Sequence, residues 1–154
     1  MSAPRLSYEE FSRRAPAATA ALRALSQSVT DAGVDKGLAE LIKVRVSQIN
    51  GCAFCLKLHL DWARGAGVTE TKLDLVAAWR EAGAFTDGEK AALRWAEALT
   101  EIAGEAELAA AYAELTSHFE PDQATHISVA VGVINQWNRI AIGFGFPPRF
   151  NRQA

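Results

Sequence analysis

The sequence predicts an all-α fold, and three observations carry that expectation. Apolar residues recur at three- and four-residue intervals along most of the chain, strand-like alternation is missing, and the periodic runs end at capping residues, glycine or proline. At 154 residues the chain is of ordinary size for one domain, here expected to span 1–154.

The first periodic run extends from Pro16 to about Ala32, with Ala18, Ala21, Leu22, Leu25 and Val29 in helical register and Gly33 as its C′ residue. Asp35 is an N-cap for a second helix that reaches Ile49 and carries Leu38, Leu41, Ile42, Arg45 and Ile49 on one side. Asn50-Gly51 breaks it. A third helix begins at the cysteines and continues through Leu56, Leu60 and Ala63 to Gly65 or Gly67. Thr69 caps a fourth, expected to reach Arg80, and Gly83 closes that stretch.

Thr86 and Glu89 have the spacing of a capping box, opening a helix with Ala92, Leu93, Ala96 and Leu99 on one face. Residues Glu105 to His118 form the next, striped by Leu108, Ala111, Tyr112 and Leu115. Pro121 fits the first turn of a last helix through Ile127, Val131, Ile134 and Trp137 to about Ile142, followed by an extended tail.

Composition narrows the function. With 49% hydrophobic and 22% charged residues and a net charge of -2, the chain offers no broad basic footprint, so nucleic acid is not an expected partner. The charge-interrupted N-terminus does not read as a signal peptide, and no segment approaches the ~18 consecutive apolar residues of a membrane span. The expected location is cytoplasmic, with no membrane partner. Only two cysteines are present, three residues apart, which points to redox exchange or metal binding rather than a secreted disulfide scaffold.

Cys52, Cys55 and His59 are separated by three and four residues, so a helix places their side chains on one face. At a helix N-terminus, unpaired N–H groups and the macrodipole favour a thiolate, which is the nucleophile. One turn beyond Cys55, His59 is placed to take its proton. Glu40 enters through the turn at Gly51: in an antiparallel hairpin it pairs in height with Trp62, ~4–5 Å from the level of His59, where a carboxylate can orient the imidazole. The competing reading for Glu40 is a solvated ion pair with Lys36, Lys43 or Arg45. For the cysteines, the rivals are a zinc site completed by His59 and Glu40, and a redox-sensing protein whose disulfide alters a partner surface. Asn135, Asn138 and Arg139 make a polar cluster late in an apolar helix, and Trp62, Trp79, Trp95 and Trp137 read as core or interface anchors.

The spacing Glu-x11-Cys-x2-Cys-x3-His, from Glu40 to His59 around INGCAFCLKLH, resembles the signature of AhpD-like alkylhydroperoxidases in the carboxymuconolactone decarboxylase superfamily. The later segments VAAWREAGAFTDGEKAALRWAEALT and INQWNRIAIGFGFPP are similar to the helices of its shorter peroxidase-related members. This resemblance implies a helical bundle with the cysteine pair at the start of a helix in an antiparallel hairpin, assembled as a homo-oligomer, commonly a trimer or hexamer. It further implies a thiol peroxidase that needs no metal or other cofactor, with Cys55 as attacking thiolate, His59 as base, Glu40 acting on the histidine and Cys52 as resolving thiol. A hydroperoxide would be the substrate, and an external dithiol protein or small thiol the reductant. One departure stands out: better-known members often carry a histidine between the cysteines, where this chain has Phe54.

Overall fold

The computed structural model describes residues 3–150, which form eight α-helices, one 3-10 turn and no strand. The helices are α1 (Tyr8–Arg14), α2 (Pro16–Asp31), α3 (Lys36–Asn50), α4 (Ala53–Gly65), α5 (Glu70–Leu75), α6 (Asp87–Glu101), α7 (Glu105–His118) and α8 (Pro121–Phe144). None of them is long and apolar enough to cross a membrane.

The boundaries follow local chemistry. Asp35 caps α3 by accepting from the Leu38 N–H at 2.8 Å. Gly51 ends α3 in the left-handed region at φ 69°, where a side chain would strain the backbone, and this reversal folds α4 back along α3. Thr86 and Glu89 close the reciprocal capping box expected for α6. Gly33 and Gly145 sit just past α2 and α8 with positive φ.

Two elements differ from the sequence reading. The helix opened by Thr69 stops at Leu75 and tightens into a 3-10 turn over Val76–Ala78, short of Arg80. The buried residues explain this: Leu73, Val76 and Trp79 recur every third position, the period of a 3-10 winding, while Leu75, Ala77 and Ala78 stay exposed. The other difference is α1, a seven-residue helix the periodicity did not announce. Ser7 caps it by accepting from the Glu10 N–H, and its aromatic residues are held by the C-terminal segment.

The centre of the fold is α3, which packs against α4, α6 and α8. Leu38, Ile42 and Val46 face one hydrophobic cluster with Ile127, Val131 and Ile134 of α8. Leu41 and Val44 face a second with Leu73, Val76, Trp79 and Leu93. Both sides of α3 are therefore dry, and each fully buried Leu or Ile contributes about 1.5–3 kcal/mol. Such a helix holds its polar side chains at fixed positions.

Candidate active site

Cys52 is the N-cap of α4 and Cys55 lies in its first turn, both buried. The Cys55 N–H donates to Cys52 Sγ at 3.3 Å, and the two sulfurs stand 2.6 Å apart. Bonding between them requires no rearrangement of a helix. The two thiols share their protons unequally. Cys52 is pulled down to about 7, chiefly because the Cys55 thiol hydrogen-bonds to it, against the opposing effect of burial. Cys55 is pushed up, first because it is the donor in that bond, then by burial and by the neighbouring negative charge. The pair thus gives up one proton near neutrality and holds the second firmly.

Glu40, on α3, and His59, on α4, are brought together by the hairpin. Glu40 Oε2 lies 2.7 Å from His59 Nδ1, closer than the sequence-derived height argument required, and both residues are buried, at 5% and 7% exposure. Glu40 is therefore not a solvated surface carboxylate. Its other oxygen accepts from Lys43 Nζ at 2.9 Å, also in the interior. Burial resists ionisation of Glu40, but the hydrogen bonds from His59 and Lys43 and the Lys43 charge prevail and hold its carboxyl below the usual value. Burial pushes His59 down, with Glu40 offsetting only part of the effect. At neutral pH the imidazole is accordingly uncharged, with Nδ1–H donating to the carboxylate and Nε2 free to accept a proton.

No hydrogen bond joins His59 to either sulfur among the described residues. What connects them is a cavity of about 530 Å³, lined by Cys55, His59, Glu40 and Lys43 together with the apolar walls of Phe54, Leu58, Trp62, Val133, Ile134 and Trp137. Cys55, but not Cys52, lines this cavity. Phe54 is fixed in an aromatic cluster, with ring centroids 5.9 Å from Tyr8 and 5.3 Å from Phe146. Among the described residues no group of three or more His, Cys, Asp and Glu side chains is arranged to hold a metal ion.

The sequence left Tyr8 unassigned and gave Lys43 and Asn138 no place at the site. Lys43, one of the cations weighed as a solvated partner of Glu40, is its partner in the interior instead. Tyr8, from the unexpected α1, forms part of the cavity wall. Asn138, fully buried on α8, accepts from Asn50 Nδ2 at 2.9 Å and donates to Ser47 Oγ at 3.1 Å. Its amide also favours the charged forms of both sulfurs. Asn135 lies one turn away, bonded to Asn50 and Thr100, so the late polar cluster of α8 is a scaffold behind the cysteines.

Comparison with known proteins agrees with this architecture. YdfG of Bacillus subtilis, an uncharacterised protein, is 34% identical over 92% of this chain and 94% of its own. A crystal structure of a protein of unknown function from Agrobacterium tumefaciens, with a suggested role as the antioxidant defence protein AhpD, superposes with a TM-score of 0.87 at 37% identity. That match covers 97% of this chain and all, 100%, of the other. The debrominase Bmp8 shares the fold at TM-score 0.76 and 19% identity, over 88% of this chain and 73% of its own. Residues 16–98 match the model of the carboxymuconolactone decarboxylase family. With that match spanning α2 to α6, the all-helical bundle and the cysteine pair at the start of α4 in its α3–α4 hairpin, the chain belongs to the carboxymuconolactone decarboxylase family, in its AhpD-like branch.

Proposed function

We propose that the protein is a thiol-dependent peroxidase that reduces hydroperoxides through a Cys52–Cys55 disulfide cycle. The observation carrying this reading is that Cys55, His59 and Glu40 line one cavity while Cys52 stands 2.6 Å behind the cavity-lining sulfur. Shifting one proton across that gap exchanges the thiolate between the two cysteines, so the anion is available on the cavity side.

In the first step the Cys55 thiolate attacks the terminal oxygen of the hydroperoxide. An S–O bond forms, the O–O bond breaks, and the departing alkoxide takes from His59 Nε2 the proton that the imidazole had accepted from the cysteine pair, leaving an alcohol. Glu40 holds the imidazole in the tautomer that makes Nε2 the proton carrier. In the second step the Cys52 sulfur attacks the sulfenic sulfur of Cys55, forming the disulfide, and the hydroxyl leaves as water. One hydroperoxide and two thiols thus become one alcohol, one water and one disulfide. An external dithiol, protein or small molecule, then restores the pair by exchange.

The test is dithiothreitol-dependent reduction of cumene hydroperoxide over many turnovers. Loss of turnover in Cys55→Ser, with a trappable sulfenic acid in Cys52→Ser, is the expected result. Full activity in Cys55→Ser would sink the mechanism, and a single stoichiometric oxidation without turnover would make the protein a redox sensor instead.

A further inference from the structure

The cavity in front of Cys55 has an uneven charge distribution. Its two carboxylates are satisfied within the protein: Glu40 by Lys43 and His59, and Asp61 by Lys57 and Arg64. Of its three cations, Lys43 is the one so paired, and Arg23 and Lys36 are not. The guanidinium of Arg23 donates to the hydroxyl of Tyr8, a neutral partner, at 2.7 Å. Lys36 forms no ion pair among the described residues. Both line the same cavity as the Cys55 sulfur, whose wall combines Ser26, Gln27 and Thr30 on α2 with apolar and aromatic side chains of α4 and α8.

Their placement is ordered. Tyr8, which holds Arg23, stacks on Phe54, the neighbour of Cys55 in the chain, so Arg23 lies one aromatic layer from the sulfur. Lys36 shares a stripe of α3 with Glu40 and Lys43, and at 1.5 Å per residue it sits roughly 6 Å beyond Glu40, toward the far end of the hairpin. A ligand reaching from Cys55 along this wall meets apolar surface first and uncompensated positive charge next. An arginine fork is suited to a carboxylate, through paired charge-assisted hydrogen bonds.

We infer that the cavity selects organic hydroperoxides bearing a carboxylate, with the peroxide at Cys55, an apolar or aromatic body along the wall, and the carboxylate at Arg23. This rests on the peroxidase reading and names its substrate class. The chemistry is the reduction already written; the carboxylate takes no part in it.

The test compares cumene hydroperoxide with its 4-carboxy derivative, using dithiothreitol as reductant at low ionic strength. The wild type is expected to favour the carboxylated compound in kcat/KM by about tenfold, the size of one exposed charge-assisted hydrogen bond. That ratio should fall toward one in Arg23→Gln, be largely kept in Arg23→Lys, and shrink with added salt. Equal turnover of the two by the wild type, or a preference that survives Arg23→Gln, overturns the inference. A separate binding measurement isolates it from the peroxidase reading: 4-isopropylbenzoate, which cannot be reduced, should quench tryptophan fluorescence at the Trp62 and Trp137 wall, more weakly in Arg23→Gln. Binding of the benzoate without reduction of either hydroperoxide would retain the anion site and reject the peroxidase. Failure of the benzoate to bind would reject the anion site whatever the turnover.

Discussion

Glu40 Oε2 and His59 Nδ1, from two antiparallel helices, meet at 2.7 Å in the interior, and Lys43 takes up the other carboxylate oxygen. The carboxylate serves two partners at once, an imidazole and an ammonium that balances its charge.

Separating those roles gives the first prediction. Glu40→Gln still accepts from the imidazole but leaves the Lys43 ammonium buried without its counter-ion, which costs on the order of 3 kcal/mol. Adding Lys43→Met removes the orphaned charge. The double variant should recover most of the lost melting temperature while kcat/KM stays about 10–100-fold below wild type. Recovery of activity along with stability would mean that Glu40 matters only as a structural counter-ion.

The thiols supply a pH prediction. Cys52 ionises near 7 chiefly because Cys55 donates to it, so alkylation by iodoacetamide should rise with pH through about 7 and modify one thiol per chain first. In Cys55→Ala that donor is gone, and the midpoint should move up toward the ordinary 9.0. The sign follows from the bond: a donor to the thiolate lowers the pKa, and its removal raises it. An unmoved midpoint would assign the depression to the helix N-terminus alone.

Asn138 acts on both sulfurs through its amide. Asn138→Ala should raise the midpoint of thiolate formation, read from ultraviolet thiolate absorbance, and cost about 1–3 kcal/mol because Asn50 and Ser47 lose a buried partner. A loss of stability with an unchanged thiol titration would restrict Asn138 to scaffolding.

Ile102 ends α6 in the left-handed region at φ 52°, with its side chain 83% exposed. A β-branched residue is strained there and gains little from burial. Ile102→Gly should relieve more strain than it adds in unfolded-state entropy, a net gain of about 0.5–1 kcal/mol and a rise of a few degrees in melting temperature. A fall in melting temperature would show that the exposed isoleucine is covered in solution.

Much of the site was legible because it is encoded in helical spacing. Cys52, Cys55 and His59 share a face by arithmetic, and Asn50-Gly51 announced the reversal that brings Glu40 across. The unread parts depend on contacts between segments far apart in sequence. Tyr8 reaches the cavity from a helix too short to show a period, anchored through Phe146 and Phe54. Asn138 sits 91 positions from Ser47, in a cluster that periodicity could only mark as an interruption. The 3-10 turn escaped because Leu73, Val76 and Trp79 also suit an α-helix until their burial is known. Lys43 looked like a solvent-facing charge, since nothing local shows that α3 is covered on both sides.

The placement of Cys52 behind Cys55 has a consequence for the return half of the proposed cycle. An incoming thiolate enters through the cavity and meets the Cys55 sulfur, so the sulfur displaced is that of Cys52. Once Cys55 carries the incoming sulfur it has no thiol proton to give, so the donor that chiefly lowers Cys52 in the reduced pair is lost, and the departing sulfur is steadied by the backbone N–H groups of Phe54 and Cys55. The start of α4 therefore takes over from the second thiol in holding the leaving charge, and it sets how readily such a disulfide is reopened.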